Sequence, residues 1–380
     1  MLVMLKSYKY QIYPTHKQRT AMQSILNECR WLYNHLLEER NTSWETKQES
    51  LNYYKQAVSI PKLKKERGTL AGVHSQVLQN VAVRVDLAYK AFFRRVKAGE
   101  KPGFPRFKGY NWYDSFTFPQ VPVGCCIKDG KLRVAKLGDI KIKLHRGIEG
   151  KVKTCAIRRI SGKWFACFTA EVEAVTLPAV NQYIGIDVGL ESFATFSDGT
   201  KIENPRFFRR DEQDLARIQR KLSKAEKGSK ERAKRRKAVA KVHERIKNRR
   251  ADFAHQRSVE IIKKFDVICV EDLSINNMVH NHCLAKSISD VAWGQFSNYL
   301  SYKAESAGRK LVKVNPAYTS QTCSKCGHRQ KIPLSTRTFH CPCCNLSIDR
   351  DLNAAQNILA LGLKSIGIQS VEAPEFIHGE

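Results

Sequence analysis

Apolar and polar positions alternate with a period that changes several times along the chain, and each change marks an element. Residues 5–13 place residues of one kind at every second position, as a half-buried strand does. Pro14 follows, and Thr15 with Gln18 three residues later has the form of a capping box that opens a helix. That helix gathers Met22, Ile25, Leu26, Cys29, Leu32, Tyr33 and Leu36 on one face. After a polar stretch around 40–50 the helical pattern resumes. Val77, Leu78, Val81, Val85, Tyr89, Phe92 and Val96 form another stripe, which stops at Gly99 and a loop over 101–108. From about 114 to 175 the period shortens to that of strands. The runs are Ser115–Phe118, Lys131–Val134, Ile140–Leu144, Lys151–Ile160 and Trp164–Val172, separated by turns such as Asp129-Gly130 and Ser161-Gly162. The first half therefore reads as one strand, a helical insertion and a small antiparallel barrel or sheet, with 173–180 as a linker.

A second pattern starts at Tyr183. The short apolar strand Tyr183-Ile184-Gly185-Ile186 ends on Asp187, and a second strand over Ser192–Phe196 leads through a turn to a third. Residues 217–250 hold sixteen Lys/Arg and three Glu, broken by Gly228-Ser229. Val239, Val242, Ile246 and Phe253 keep a helical stripe through the charge, so a helical hairpin is expected. The apolar strand Val267-Ile268-Cys269-Val270 then ends on Glu271. A helix near 290–307, a strand over Leu311–Val314 and a helix from Asn353 follow.

Charge narrows the class. The 380 residues carry 66 Lys+Arg against 36 Asp+Glu, a net charge of +30. Such an excess points to a polyanion, because Lys and Arg gain free energy by releasing counterions from phosphates. No apolar stretch approaches the ~18 residues of a spanning helix, and the N-terminal apolar patch is too short for a signal peptide. An intracellular, cytoplasmic or nucleoid protein is the expectation.

Five of the twelve cysteines crowd together near the C-terminal end. Cys323-Ser-Lys-Cys326 and Cys341-Pro-Cys-Cys344 are two Cys-x-x-Cys knuckles, the spacing with which a short hairpin offers four soft ligands to a tetrahedral zinc ion. Cys343 could replace Cys344, but the two-residue gap favours Cys344. Gly327 and Asn345 suit the left-handed turns that follow the knuckles. Four cysteine ligands leave no open position for water, so the zinc is structural. Cys29, Cys125, Cys126, Cys155, Cys167, Cys269 and Cys283 read as buried small hydrophobes in a reduced protein.

Asp187 and Glu271 end apolar strands, where side chains of an α/β sheet project into a shared crevice. Asp349 and Asp351 lie just past the second knuckle, at a helix start. Three carboxylates meeting at one point repel unless cations neutralise them, and a pair of Mg²⁺ ions does this while activating water for attack on a phosphodiester.

These residues carry a resemblance. Ile184-Gly-Ile-Asp187-Val-Gly-Leu resembles the first RuvC motif, Val270-Glu271-Asp-Leu the second, and Asp349-Arg-Asp351-Leu-Asn-Ala-Ala-Gln-Asn-Ile the third. Thr319-Ser-Gln-Thr-Cys323-Ser-Lys-Cys326-Gly resembles the zinc-ribbon entry of TnpB proteins, and Gly103-Phe-Pro-Arg-Phe-Lys108 a segment of their N-terminal half. The resemblance to the TnpB family spans nearly the whole chain in order. It implies an α+β multidomain protein: a wedge β-barrel over 1–14 and 106–175, with a helical recognition insertion over 15–105. A ribonuclease H-like RuvC domain follows over 181–317 and 348–368, with a zinc-ribbon insert over 318–347 that binds target nucleic acid, and a tail over 369–380. It further implies an RNA-guided DNA endonuclease encoded by an insertion sequence and similar to compact type V CRISPR effectors. Such an enzyme takes a guide RNA from its own element and recognises a short motif beside a double-stranded target. The acids carry over as Asp187, Glu271 and Asp351, with Asp349 as the alternative to Asp351. Asn345 stands where the family usually has Gly, and Cys343 is an extra thiol.

The basic stretch is either a solvated helical face or a phosphate-lined groove, in which Arg220, Lys221, Lys224, Arg232, Arg235, Arg236, Arg249 and Arg250 would contact nucleic acid. Trp31, Tyr33, Phe104, Phe107 and Trp112 could stack on bases, although Trp31 and Tyr33 sit on a helical stripe that favours packing. Three rival readings remain. A protein-only transposase would usually present Asp, Asp, Glu rather than Asp, Glu, Asp. An RNA-guided repressor would bind without cutting. A zinc-ribbon ribosomal or RNA-processing factor would leave the carboxylates unexplained.

Overall fold

A computed structural model describes residues 3–110, 112–333 and 335–368; the expected tail over 369–380 lies outside these. The chain divides into two compact units, Met1–Glu173 and Ala174–Glu380.

In the first unit, strand β1 (Val3–Tyr13) runs into helix α1 (His16–Lys47). The capping box is present: the Thr15 hydroxyl accepts from the Gln18 amide, and the Gln18 side chain accepts from the Thr15 amide. The predicted face of α1, from Met22 to Leu36, is buried. Helices α2 (Tyr53–Glu66) and α3 (Ser75–Lys97) complete the helical part. The α3 stripe is buried as far as Val85, whereas Val96 in its last turn is exposed.

Strands β2 (Ser115–Phe118), β3 (Cys125–Lys128), β4 (Lys131–Val134), β5 (Gly138–Ile142), β6 (Lys151–Ile160) and β7 (Lys163–Glu173) follow. With β1 they form a seven-stranded antiparallel sheet in the order β2-β6-β7-β1-β5-β4-β3. β3 has no counterpart in the sequence reading, because Cys-Cys-Ile-Lys does not alternate as the equally short β2 and β4 do. The ladder ends on β2 and β3, so the expected barrel is not closed by hydrogen bonds among the described residues. The sheet nevertheless curls, since the Cys155 thiol in β6 meets that of Cys125 in β3. Of the scattered cysteines, Cys29, Cys125, Cys155 and Cys269 are buried, Cys126 and Cys167 are half-buried, and Cys283 is exposed, contrary to expectation.

The second unit opens with β8 (Tyr183–Asp187), β9 (Ser192–Phe196) and β10 (Lys201–Glu203). The basic hairpin is α4 (Phe207–Ser223) and α5 (Lys230–Lys264), with Ser229 capping α5 at the predicted break. Next come β11 (Val267–Glu271), α6 (Ile275–Met278), α7 (Ala285–Val291), α8 (Trp293–Ala307) and β12 (Lys310–Val314). The single helix expected near 290–307 is split at Ala292, whose φ of 58° is left-handed. A two-stranded ribbon of β13 (Thr338–His340) and β14 (Ser347–Asp349) leads into α9 (Arg350–Ser365). The last helix thus starts three residues before Asn353.

The main sheet runs β10-β9-β8-β11-β12, with β8, β11 and β12 parallel and only β9 reversed, antiparallel to both β8 and β10. Its core joins Ile184, Ile186, Phe193, Ile268 and Val270 to Phe296 and Leu300 of α8 and Ile261 of α5. Helix α9 lies against the sheet at a separation that only glycine permits. A Cβ on Gly185 would stand 2.1 Å from the Ala355 carbonyl oxygen, and one on Gly362 2.2 Å from the Cys269 sulfur. Gly185→Ala is therefore expected to destabilise the protein by about 2–3 kcal/mol, the upper range of overpacking. Urea denaturation checks it, and an unchanged midpoint would show that α9 can retreat freely.

Candidate functional site

The parallel register pairs Ile186 with Val270, so Asp187 and Glu271 leave adjacent strands at the same end of the sheet. α9 starts at that end. Asp349 is its N-cap: one carboxylate oxygen accepts from the amides of Asp351 and Leu352 at 3.1 and 3.0 Å. The other accepts from Lys201 at 2.8 Å. Asp351, in the first turn, accepts from the Arg350 guanidinium at 3.4 Å. It also stands near Gly189, just past β8.

Electrostatics separate the four acids. Burial first, and then the charges of Glu271 and Asp351, push the Asp187 carboxyl up to about 8, with Arg350 opposing. Burial also raises Glu271, offset in part by the Thr319 hydroxyl. At Asp349 burial opposes ionisation, but Lys201 and the α9 amides outweigh it and hold the carboxyl below its ordinary value. Asp349 is thus already satisfied, whereas the buried Asp187 carboxyl faces the charges of Glu271 and Asp351, a repulsion that cations would relieve. Among the described residues only the cysteines gather metal-ligating atoms within 4.8 Å of one another. A cavity of about 190 Å³ opens against Glu271, with Val188, Leu273, Trp293, Phe296 and Lys313 in its walls.

The sulfurs of Cys323, Cys326, Cys341 and Cys344 lie within 4.8 Å of one another. The pairs Cys323–Cys344 and Cys326–Cys341 are 3.6 and 3.5 Å apart. Four sulfurs at the usual zinc distance of ~2.3 Å, arranged tetrahedrally, are roughly 3.8 Å apart, so the cluster fits zinc. Gly327 and Asn345 take the left-handed conformations expected of them, at φ 76° and 54°. Cys343 is exposed and outside the cluster.

Polar residues that the sequence reading passed over bind this ribbon to α9. Asn353, fully buried, donates to the Thr322 carbonyl at 2.8 Å and accepts from the Ser324 amide at 2.9 Å. Asn357 donates to the carbonyls of Thr319 and Thr322 at 2.8 and 2.7 Å. Thr319 in turn donates its hydroxyl to Glu271 at 2.6 Å. Two asparagines one turn apart, at the start of an otherwise apolar helix, were the available signal.

The basic hairpin is less uniform than its composition. Arg250 reaches Asp290 at 2.7 Å, and Asp290 also accepts from the Phe208 amide at the start of α4. Arg232 donates to the Leu222 and Ala225 carbonyls at the end of α4, at 3.1 and 2.6 Å. Both are half-buried struts rather than open phosphate contacts. Arg249 pairs with Asp211, and Arg235 with Glu231, at 3.2 and 2.6 Å. Arg220, Lys221, Lys224 and Arg236 are exposed. In the first unit Trp31 stacks on His35 with ring centroids 5.0 Å apart, and Tyr33 is buried. Phe104, Phe107 and Trp112 are exposed, Trp112 to 79%.

A mixed sheet thus brings two strand-end carboxylates to a helix-borne third, with a four-cysteine cluster anchored beside them. Family comparison narrows this further. A profile described as a probable transposase, OrfB of IS605 type, matches residues 167–282. A helix-turn-helix profile of the same proteins matches 1–49, where the structure holds β1 and the single helix α1. A Cas12f1-like TNB domain profile matches 293–358. A protein of Streptomyces pristinaespiralis is 34% identical over 94% of this chain and 89% of its own length. InsQ of Escherichia coli K12 is 32% identical over 94% of this chain and 92% of its own. Both are named, provisionally, as RNA-guided DNA endonucleases. The fold resembles that of Cas12f1 in its complex with single-guide RNA and target DNA, with a TM-score of 0.60 at 15% identity, covering 94% of this chain and 98% of that one. The chain belongs to the TnpB family.

Proposed function

We propose that this protein is an RNA-guided DNA endonuclease that binds a guide RNA from its own element and cuts DNA next to a short recognised motif. The observation that carries this reading is the meeting of Asp187, Glu271 and Asp351 at one end of the sheet, in a chain whose relatives bear that name over nearly their full length. The first unit takes the part of wedge and recognition insertion, the second that of a ribonuclease H-like RuvC domain with its zinc ribbon. Bound Mg²⁺ would supply charge neutralisation and an activated water for attack on the phosphodiester. Asp187 and Asp351 would hold one ion between them and Glu271 the second. Lys313, 2.9 Å from Asp272 on the cavity wall, would offer a positive charge to a phosphate entering the cavity. Arg220, Lys221, Lys224 and Arg236 are the hairpin side chains best exposed to a phosphate backbone.

Expression with the native flanking DNA, followed by sequencing of co-purified RNA and a cleavage assay, tests the proposal. One abundant RNA with defined ends, together with Mg²⁺-dependent cutting of a matching duplex, is the expected result. Heterogeneous RNA, or strand-transfer products without a guide, would move the transposase reading to the front.

The zinc cluster yields a separate expectation. Cys326→Ser leaves three thiolates, so bound zinc should fall from one per chain to well below half, and the ribbon should become protease-sensitive. The free energy that structural zinc contributes to folding makes this loss large. Metal analysis with limited proteolysis checks it; full zinc content in the variant would admit Cys343 as a ligand.

A further inference from the structure

Glu271 differs from its two partner acids in its neighbours. Its carboxylate takes a 2.6 Å hydrogen bond from Thr319, a residue 48 positions away and only 4% exposed. The Thr319 carbonyl is held by Asn357 at 2.8 Å. The next turn of the same strap is held by Asn353 and Asn357 through Thr322, immediately before the first zinc knuckle. Both asparagines project from α9, which also carries Asp351 in its first turn. One short segment, 319–324, therefore touches Glu271 at one end and the zinc ligand Cys323 at the other, and it is fastened along its length to the helix of the third acid.

We infer that Thr319 is a positioning residue for Glu271, and that the zinc ribbon, through Asn353 and Asn357, sets the distance between Glu271 and Asp351. The inference rests on the proposed Mg²⁺ site. Its physical basis is general: a carboxylate that binds metal needs one rotamer fixed, and a short hydrogen bond to one of its oxygens fixes it. Without the hydroxyl, Glu271 is free to swing away from its neighbours, whose negative charge repels it. Zinc at the ribbon then acts beyond holding the ribbon together, because the hydroxyl is placed by a strap that the zinc terminates.

The test uses the complete protein–guide RNA complex and measures cleavage of a matching duplex against Mg²⁺ concentration for wild type, Thr319→Val and Thr319→Ser. Valine keeps the shape and removes the hydroxyl. It is expected to raise the Mg²⁺ concentration for half-maximal cleavage by about 10- to 100-fold, the usual effect of losing such an outer contact, with guide binding and zinc content unchanged. Serine restores the donor and should bring the requirement back to within about threefold of wild type. Recovery of the valine variant at high Mg²⁺ separates a positioning defect from misfolding, which added Mg²⁺ would not repair. Equal Mg²⁺ curves for wild type and Thr319→Val would overturn the inference while leaving the nuclease reading intact. A wild-type complex that shows no Mg²⁺-dependent cleavage would remove both.

Discussion

Asp187→Asn is expected to lower Mg²⁺-dependent cleavage by at least about 10³-fold, roughly 4 kcal/mol of transition-state stabilisation, with guide RNA binding within about twofold of wild type. The same change should make the Mg²⁺-free protein more stable. Burial and the charges of Glu271 and Asp351 lift the Asp187 carboxyl to about 8, against an unfolded value of 3.8. Between these two values the folded chain keeps a proton that the unfolded chain releases, so stability falls as pH rises from about 4 to about 8. Asparagine carries no such proton and removes the fall. The variant's melting temperature should therefore exceed that of wild type by a margin that grows from pH 4 to pH 8. Each kcal/mol of relieved repulsion is worth about 2–4 °C in a domain of this size. Added Mg²⁺ should narrow the margin by stabilising wild type alone. Thermal melts in Mg²⁺-free buffer at the two pH values, repeated with Mg²⁺, measure all of this. A variant that still cuts, or a margin that shrinks with pH, would count against the three-acid centre.

Lost activity together with gained stability would mark the site as one where sequence and fold disagree locally. The disagreement is what made part of it legible. Apolar runs that stop abruptly on Asp187 and Glu271 can be read without a structure, because a strand end is a local event. So can the capping box at Thr15 and Gln18, and the left-handed positions Gly327 and Asn345, since each depends on neighbours a few residues away. Other features depend on partners far along the chain. Gly185 reads as one more residue of a strand, and its reason emerges only when α9 settles on it. Arg232 and Arg250 look like the rest of a basic run, yet their carbonyl and Asp290 partners make them struts. Thr319, Asn353 and Asn357 stand inside a recognisable motif, but the motif does not say which carbonyl or carboxylate each would meet. Strand β3 does not alternate, and the helix break falls at Ala292, a residue type that ordinarily continues a helix.

The start of α9 gives Asp349 and Asp351 different structural positions. If α9 began at Asn353, both acids would lie ahead of it as equals. It begins at Arg350, so Asp349 becomes the cap and Asp351 the first-turn acid. Both oxygens of Asp349 are occupied, by two amides and by Lys201. Asparagine caps a helix about as well as aspartate, and the half-exposed pair with Lys201 is worth at most about 1 kcal/mol. Asp349→Asn is therefore expected to keep cleavage within about threefold of wild type, with a small loss of stability. Asp351→Asn should lower cleavage by at least about 10³-fold and leave the cap in place. Single-turnover cleavage by the two variants, each loaded with the same guide, decides it. The opposite ranking would mean that the cap, released from Lys201, swings inward to take the metal, and that Asp351 only tunes its charge.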